Sequence, residues 1–479
     1  MNFGFKKMYI DGQLCDSAAA TTSQIICPAT GEEAATIAVA SVEDSERALE
    51  AAQKGFEYWS KLSLAERNVW IYKLRDAVIA RKDEMHYAVM YELGKTWESA
   101  DEDIDMIIDA LDYYPNEMLR YRSQMLPDMA GTHAHMLVHE PRGVSVAILA
   151  WNFPILNVAY KVAPALAAGC SVILRPSIET PISAYLFGEI CASIDFPAGV
   201  INVLTGSSKN TSIPLSTSKI PRVLTMIGSS ATGLKLVAQS ATSIKKLGLE
   251  LGGNAPALIF EDCDMDKALA TMVGVKFNNS GQVCVTPNRI FVQASIYDAF
   301  MARFKEMTAA LKVGFGKDQG VNMGPLVNIS ARERVMQMVA DDVAAGAKLT
   351  FGGDIPAGMP EGSSFMNPTI LEGVTPEMRC FKEEIFGPVA AIIKFNDESD
   401  LDPMVNDPDV GLASYLFTND LKRVQKYSQF IECGEVQVNG IRYAINLPHG
   451  GMKDSGLGHD CSHLALEDYL YTKRISITL

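Results

Sequence analysis

The chain is 479 residues long, 48% hydrophobic and 21% charged, with 57 acidic against 42 basic residues and a net charge of −15. That length exceeds one compact core and predicts two or more domains. The composition excludes extended disorder, and the acidic balance excludes the basic stripe that a nucleic-acid partner requires.

From 41 to about 122 apolar residues recur at helical spacing, as in Ile71, Leu74, Ala77 and Val78, which predicts a helix-rich lead-in. From 143 the rhythm changes. Apolar strands at 144–149, 171–174, 200–204, 222–226 and 246–249 alternate with helical runs, the signature of βαβ units and a parallel sheet. The apolar stretch 143–160 contains Asn152, Pro154 and Asn157, so it reads as a buried strand and helix, not a membrane span. A second set of strands follows at 257–260, 289–292, 348–351, 388–395 and 435–439, with helices at 264–277 and 296–311. This predicts a second α/β domain.

The nine cysteines are odd in number and include no C-x-x-C pair, which predicts a reducing compartment, the cytoplasm. The start, Met1 to Lys7, lacks the apolar core of a secretory signal. Seven scattered histidines predict no metal site.

Three segments carry chemistry. Cys284 lies in Phe277-Asn278-Asn279-Ser280-Gly281-Gln282-Val283-Cys284-Val285-Thr286-Pro287-Asn288-Arg289, where packing alone does not call for the polar run. A thiolate attacks carbonyl carbon, so Cys284 is a candidate nucleophile; taken alone, a free cysteine is more often inert core. Glu250 ends an apolar run just before Gly252-Gly253, and a carboxyl held there in an apolar crevice suits a base that takes a proton from water. A solvated loop glutamate is its ordinary alternative. Asn152 closes Ala147-Ile148-Leu149-Ala150-Trp151-Asn152-Phe153-Pro154, where its amide is a candidate oxyanion donor or a cap for the following helix. Gly228-Ser229, between a strand and a helix, offers backbone amides and a helix N-terminus to a pyrophosphate.

These segments, in this order, together with Pro141-Arg142-Gly143-Val144, Glu383 to Pro388 and Pro448 to Gly456, resemble the aldehyde dehydrogenase superfamily over nearly the whole chain. The resemblance implies an α/β fold with a Rossmann-like, parallel-sheet cofactor domain (1–122 and 142–252), a second α/β catalytic domain (253–448) and a small β oligomerisation element (123–141 and 466–479, ending in a strand at 472–479). It implies a homodimer or homotetramer, with edge pairing burying the apolar tail. It also implies NAD or NADP, contacted by Trp151, Arg175, Ser177, Gly228, Ser229, Glu384 and Phe386. The expected reaction is oxidation of an aldehyde to the acid through a Cys284 thiohemiacetal and thioester, with Asn152 on the oxyanion. Glu250 implies release by water, since members that acylate coenzyme A tend to lack this base.

Departures from the family pattern are informative. Its Lys-Pro-Ser-Glu-like loop reads Arg175-Pro176-Ser177-Ile178 here; losing the carboxylate and gaining a guanidinium predicts acceptance of a 2′-phosphate, hence NADP. Lys161 matches a lysine of a proton relay, and the usual acidic partner is expected to be replaced by His463. Succinic-semialdehyde enzymes carry arginines where this chain has Tyr160 and Asn278, so an uncharged aliphatic or aromatic aldehyde is expected, the semialdehyde being the alternative. Tyr160, Trp151, Phe153, Val283 and Val285 read as an apolar funnel. His449, where many relatives have Phe, makes its inner end more polar. An inactive binding homologue would have lost the nucleophile or the base, and both are present.

Overall fold

The computed structural model describes residues 1–316 and 320–479. Two large sheets dominate. The first has eight strands, in the order Gly456–Leu457, Lys246–Glu250, Pro221–Ile227, Val144–Ile148, Ser171–Arg175, Ile201–Val203, Met8–Ile10 and Gln13–Cys15. Its five central members run parallel, while the outer ones pair antiparallel. Val144–Ile148 lies mid-sheet and is buried at every position, which is why it is apolar without alternation. Ile148, Ile227 and Glu250 end at the same edge of the sheet, and a ligand crevice is expected where parallel strands finish.

The second sheet has seven strands, in the order Lys348–Phe351, Thr369–Glu372, Val389–Phe395, Pro287–Gln293, Ala255–Ile259, Ala413–Phe417 and Glu435–Val438. Only Lys348–Phe351 pairs antiparallel. Ala257 and Ile259 enter one core and Leu258 and Phe260 another, so the strand satisfies helices on both faces. Each fully buried Leu or Ile contributes about 1.5–3 kcal/mol.

The lead-in holds four helices, Val42–Trp59, Leu64–Ala80, Lys82–Leu93 and Trp97–Met118. Ser41 with Asp44, and Ser63 with Glu66, form capping boxes that set where the first two begin. Ile71, Leu74 and Val78 are fully buried, as their spacing predicts. The strands Thr369–Glu372 and Ala413–Phe417, and a small N-terminal sheet of Phe5–Lys6, Glu33–Ala38 and Thr22–Ile26, lie outside the sequence expectations. Each is short, and burial on both faces removes the alternation that would mark Ala413–Phe417.

A third sheet joins chain segments far apart in sequence. Leu470–Thr478 pairs antiparallel with His133–Pro141 over nine positions, and Gln124–Leu126 completes it. Leu470–Thr478 is the sheet's edge and is exposed beyond its first residue, including Tyr471, Ile475 and Ile477. Among the described residues no helix is long and apolar enough to cross a membrane.

Candidate active site

A cavity of about 1160 Å³ opens between the two sheets. Asn152 reaches it from the loop after Val144–Ile148 and is 4% exposed. Its amide does not cap the next helix: Pro154–Ala168 has Phe153 at its N-cap, with no side-chain cap. The cap comes from a distance instead. Asp103, buried and ion-paired with Lys95, accepts from the backbone N–H groups of Ile155 and Leu156 at 3.2 and 3.1 Å. That frees Asn152, whose Nδ2 donates to the Gln282 carbonyl at 3.1 Å and retains a second N–H for the cavity.

Cys284 follows three consecutive left-handed residues, Asn279, Ser280 and Gly281, with φ of 46°, 57° and 72°. Such backbone persists only where surroundings fix it. Ser280 Oγ donates to the Gly324 carbonyl at 2.7 Å, Gln282 Oε1 accepts from Val327 N–H at 2.8 Å, and Asn279 Nδ2 donates to the Asn152 carbonyl at 2.8 Å. Gly281 is required twice over: besides its φ, a Cβ there would sit 2.1 Å from the Gly387 carbonyl oxygen. The polar run around the cysteine is thus the clamp that sets the thiol beside Asn152.

Glu250 ends Lys246–Glu250 and is 4% exposed, with no hydrogen-bond partner on either carboxylate oxygen. Burial pushes its pKa well above the ordinary value, and His449 opposes that rise. The turn after it is braced by the C-terminal segment: Ser455 Oγ donates to the Gly252 carbonyl at 2.7 Å, and Gly456–Leu457 pairs with Leu249 and Glu250. Burial also pushes the Cys284 thiol up, with His449 the chief group drawing it back. His449 Nδ1 stands 2.6 Å from Glu435 Oε1, and its Nε2 stands 3.7 Å from Glu250 Oε2.

The outer part of the cavity has the parts a dinucleotide needs. Gly228 and Ser229 line it, and Ser229 is the N-cap of the 11-residue helix Ser230–Ser240, so helix amides face the opening. Glu384 is raised to about 7 by burial; its Oε1 accepts from Gly253 N–H at 3.2 Å, leaving Oε2 for a hydroxyl. Phe386, at φ 49°, meets Trp151 edge to face with centroids 5.3 Å apart. A phosphate cradle, a carboxylate and an aromatic wall in one cavity fit a nicotinamide dinucleotide.

Residues 15–475 match the model of the aldehyde dehydrogenase family. The chain belongs to the aldehyde dehydrogenase family. It is 37% identical over 467 residues to a mitochondrial succinate-semialdehyde dehydrogenase of Oryza sativa subsp. japonica, covering 97% of this chain and 88% of the relative. It is 34% identical over 471 residues to an NADP(+) succinate-semialdehyde dehydrogenase of Escherichia coli strain K12, covering 98% and 97%. The NAD+ complex of an aldehyde dehydrogenase from Bacillus cereus superposes with a TM-score of 0.95 at 30% identity, covering 99% of this chain and 96% of that one. The fold is therefore the aldehyde dehydrogenase fold, and the protein is an NAD(P)-dependent aldehyde dehydrogenase.

In this dehydrogenase Trp151, Asn152, Glu250 and Cys284 share one cavity with Gly228, Ser229, Glu384 and Phe386. Lys161 lies behind it. Its Nζ is paired with both carboxylate oxygens of Asp460, at 2.5 and 2.8 Å, and Asp460 itself faces the cavity. The expected replacement of its acidic partner by His463 is wrong: His463 is exposed at the start of a short 3-10 turn, and the acid is present as Asp460. The error came from placing the partner by motif position, whereas the backbone bridge between His449 and Asp460 brings Asp460 inward. Arg175 and Ser177 lie off the cavity. The Arg175 guanidinium donates to the Gly206 carbonyl at 2.7 Å and to Thr211 Oγ1 at 3.3 Å, and Ser177 Oγ accepts from Glu179 N–H at 3.3 Å. Glu435 and Asp460 belong to the site yet sit in no motif; only the three-dimensional fold exposes them.

Proposed function

We propose that this enzyme oxidises an uncharged aldehyde to its acid by covalent catalysis at Cys284 and hydrolysis assisted by Glu250. The observation that carries the reading is the meeting in one cavity of Cys284, the Asn152 amide and a buried carboxylate that makes no hydrogen bond, Glu250. The Cys284 sulfur adds to the aldehyde carbon, and the oxygen that becomes negative is held by Asn152 Nδ2 and the Cys284 backbone N–H. Collapse of that thiohemiacetal expels hydride and leaves a thioester; bound NAD or NADP supplies the hydride acceptor. Glu250, which burial favours in the protonated form and the His449 charge in the ionised form, would as the carboxylate take a proton from water that attacks the thioester. Lys161 would act as a positioning element by holding Asp460, since Asp460 raises the Glu250 carboxyl by more than Lys161 lowers it and the pair does not itself favour the ionised form.

The Ser229-capped helix would hold the pyrophosphate, Glu384 a ribose, and Trp151 with Phe386 the ring. Arg175 and Ser177 lie off this cavity and would meet the cofactor only where it extends beyond it, with the Arg175-Pro176-Ser177-Ile178 loop suiting a 2′-phosphate. For the substrate, Tyr160 and Asn278 line the funnel, and Asn278 is bound to Ser99 and Glu102 rather than open to a carboxylate. Glu98, Glu102 and Asp105 line the same mouth and oppose an anionic tail. A second reading, a semialdehyde, is favoured by Arg442, which also lines the cavity, and by the names of the relatives. Comparing kcat/KM for succinic semialdehyde and an uncharged aldehyde of the same chain length decides between them. The uncharged substrate is expected to win by tenfold or more, and a preference for the semialdehyde removes the reading. The exposed edge of Leu470–Thr478 suits pairing with a second copy into a homodimer or homotetramer, and nine free cysteines suit the cytoplasm.

A further inference from the structure

A buried thiol needs an acceptor for its proton before it can attack, and Glu250, itself favoured in the protonated form, is a poor one. His449 is better placed. Its backbone is locked to Asp460 by N–H to carbonyl bonds of 2.9 and 2.7 Å in both directions, which fixes where the ring is anchored beside the cavity. Nδ1 lies 2.6 Å from Glu435 Oε1, a spacing that fixes its proton there and leaves Nε2, 3.7 Å from Glu250 Oε2, as an acceptor in the cavity that Cys284 also lines. Glu435 is held by the sheet through its own strand, Glu435–Val438, and its side chain is 9% exposed. The other groups packed around the ring are Glu250, Tyr160, Tyr443 and Cys461, with the Lys161–Asp460 pair beyond Glu250.

We propose that His449, oriented by Glu435, is the base that takes the Cys284 proton, so that a Cys–His–Glu relay operates inside the dehydrogenase crevice. This rests on Cys284 being the nucleophile. The proton passes from Sγ to Nε2 while the S–H bonding pair stays on sulfur. That pair then forms the C–S bond, and the carbonyl π pair moves to oxygen. Nothing is oxidised or reduced in this step. Thiol, neutral imidazole and carboxylate become thiolate, imidazolium and carboxylate, so the trio keeps its net charge and no uncompensated ion is created in a dry pocket. Once sulfur is acylated, the imidazolium's remaining neighbour on that side is Glu250, 3.7 Å away, whose ionised form it favours. One side chain would thus serve attack and then hydrolysis.

The test is the pH profile of Cys284 alkylation by iodoacetamide in the full-length enzyme, followed by peptide mass spectrometry because nine cysteines are present. His449→Phe is expected to move the inflection upward by about one pH unit or more, slowing alkylation at neutral pH about tenfold while leaving the alkaline plateau intact. Glu435→Gln is expected to move it the same way by less. An unchanged profile in a folded, NADP-binding His449→Phe protein overturns the proposal. Should that variant not fold, His449→Gln, polar and of similar size, decides on the same terms. Loss of turnover in Cys284→Ala with an unmoved His449 profile would sink only the base assignment, whereas retained turnover in Cys284→Ala would sink the reading beneath it.

Discussion

At the outer end of the crevice a ligand meets backbone at Gly228, the amides above Ser229 and Gly252, with one carboxyl, Glu384, and the aromatic rings of Trp151 and Phe386. At the inner end it meets titratable side chains, Cys284, Glu250 and His449, drawn from separate segments and shifted by burial and by one another. Burial alone would depress the His449 imidazolium, but Cys284, Glu435 and Glu250 outweigh it and favour the charged ring, the form His449 takes once it has received the Cys284 proton. The contrast separates two tasks. Apart from Glu384, which burial raises to about 7, binding is done by geometry that barely depends on pH, and chemistry by a cluster whose members are each uncomfortable alone.

The largest expected effect lies at the inner end. Cys284→Ala should lower turnover by about 10⁴-fold or more, as loss of a nucleophile does, while thermal unfolding and NADP titration stay close to the parent. Comparable loss of cofactor affinity would mean that the two ends are not separable. Glu250→Gln comes next. It should release about one equivalent of reduced cofactor per site in a burst and then stall, steady turnover falling by about 10²- to 10⁴-fold. A steady rate without a burst would place the slow step before acylation and remove Glu250 from hydrolysis.

The same division governs what the amino-acid order reveals. Gly228-Ser229 is a strand-to-helix turn, and its function is spelled by neighbours in the chain. Glu250 and Asn152 are visible because each follows an apolar run at a sheet edge, where a polar residue needs a reason, and Cys284 because a polar run surrounds it. The central strands of both sheets were legible from apolar runs between helical stretches. Glu435 and Asp460 were not: one sits in a half-exposed edge strand and the other among Gly458-His459-Asp460-Cys461, and neither is marked by spacing. Their partners, His449 and Lys161, are 14 and 299 residues away. A side chain's neighbours across sheets are set by topology, which local pattern does not encode. Arg175 shows the same limit from the other side, a residue whose type suggests a phosphate fork and whose contacts with Gly206 and Thr211 spacing does not encode.

Two buried lysines sharpen the comparison. Lys161 is paired with Asp460, whereas Lys276, behind Glu384, is fully buried with no partner for Nζ and is lowered to about 7 by burial. Unfolded, a lysine titrates near about 10.4. Between about 7 and that value the unfolded chain holds a proton that the folded one has lost, so stability rises with pH across this window. Below it both states are protonated and the destabilisation is at its full extent. Lys276→Met should therefore be more stable at neutral pH by on the order of 2–4 kcal/mol and should flatten the rise, as read by urea denaturation at several pH values. A parent-like slope in the variant would show that the amine is solvated in solution.

The smallest effect belongs to the outer end. Ser229 Oγ accepts from Thr232 N–H at 3.3 Å, and removing such a cap costs a helix about 1 kcal/mol. That energy corresponds to about a fivefold change in an equilibrium constant, so Ser229→Ala should raise KM for NAD and NADP a few-fold and leave kcat untouched. Because the helix still begins at Ser230 and its amides still face the cavity, the loss should stay partial and should not depend on pH. If kcat fell with KM unchanged, or if the effect followed the titration of the inner cluster, the helix end would be coupled to the chemistry through the Gly228 turn and the Glu250 strand beside it, where Gly228 N–H already donates to the Glu250 carbonyl at 3.0 Å.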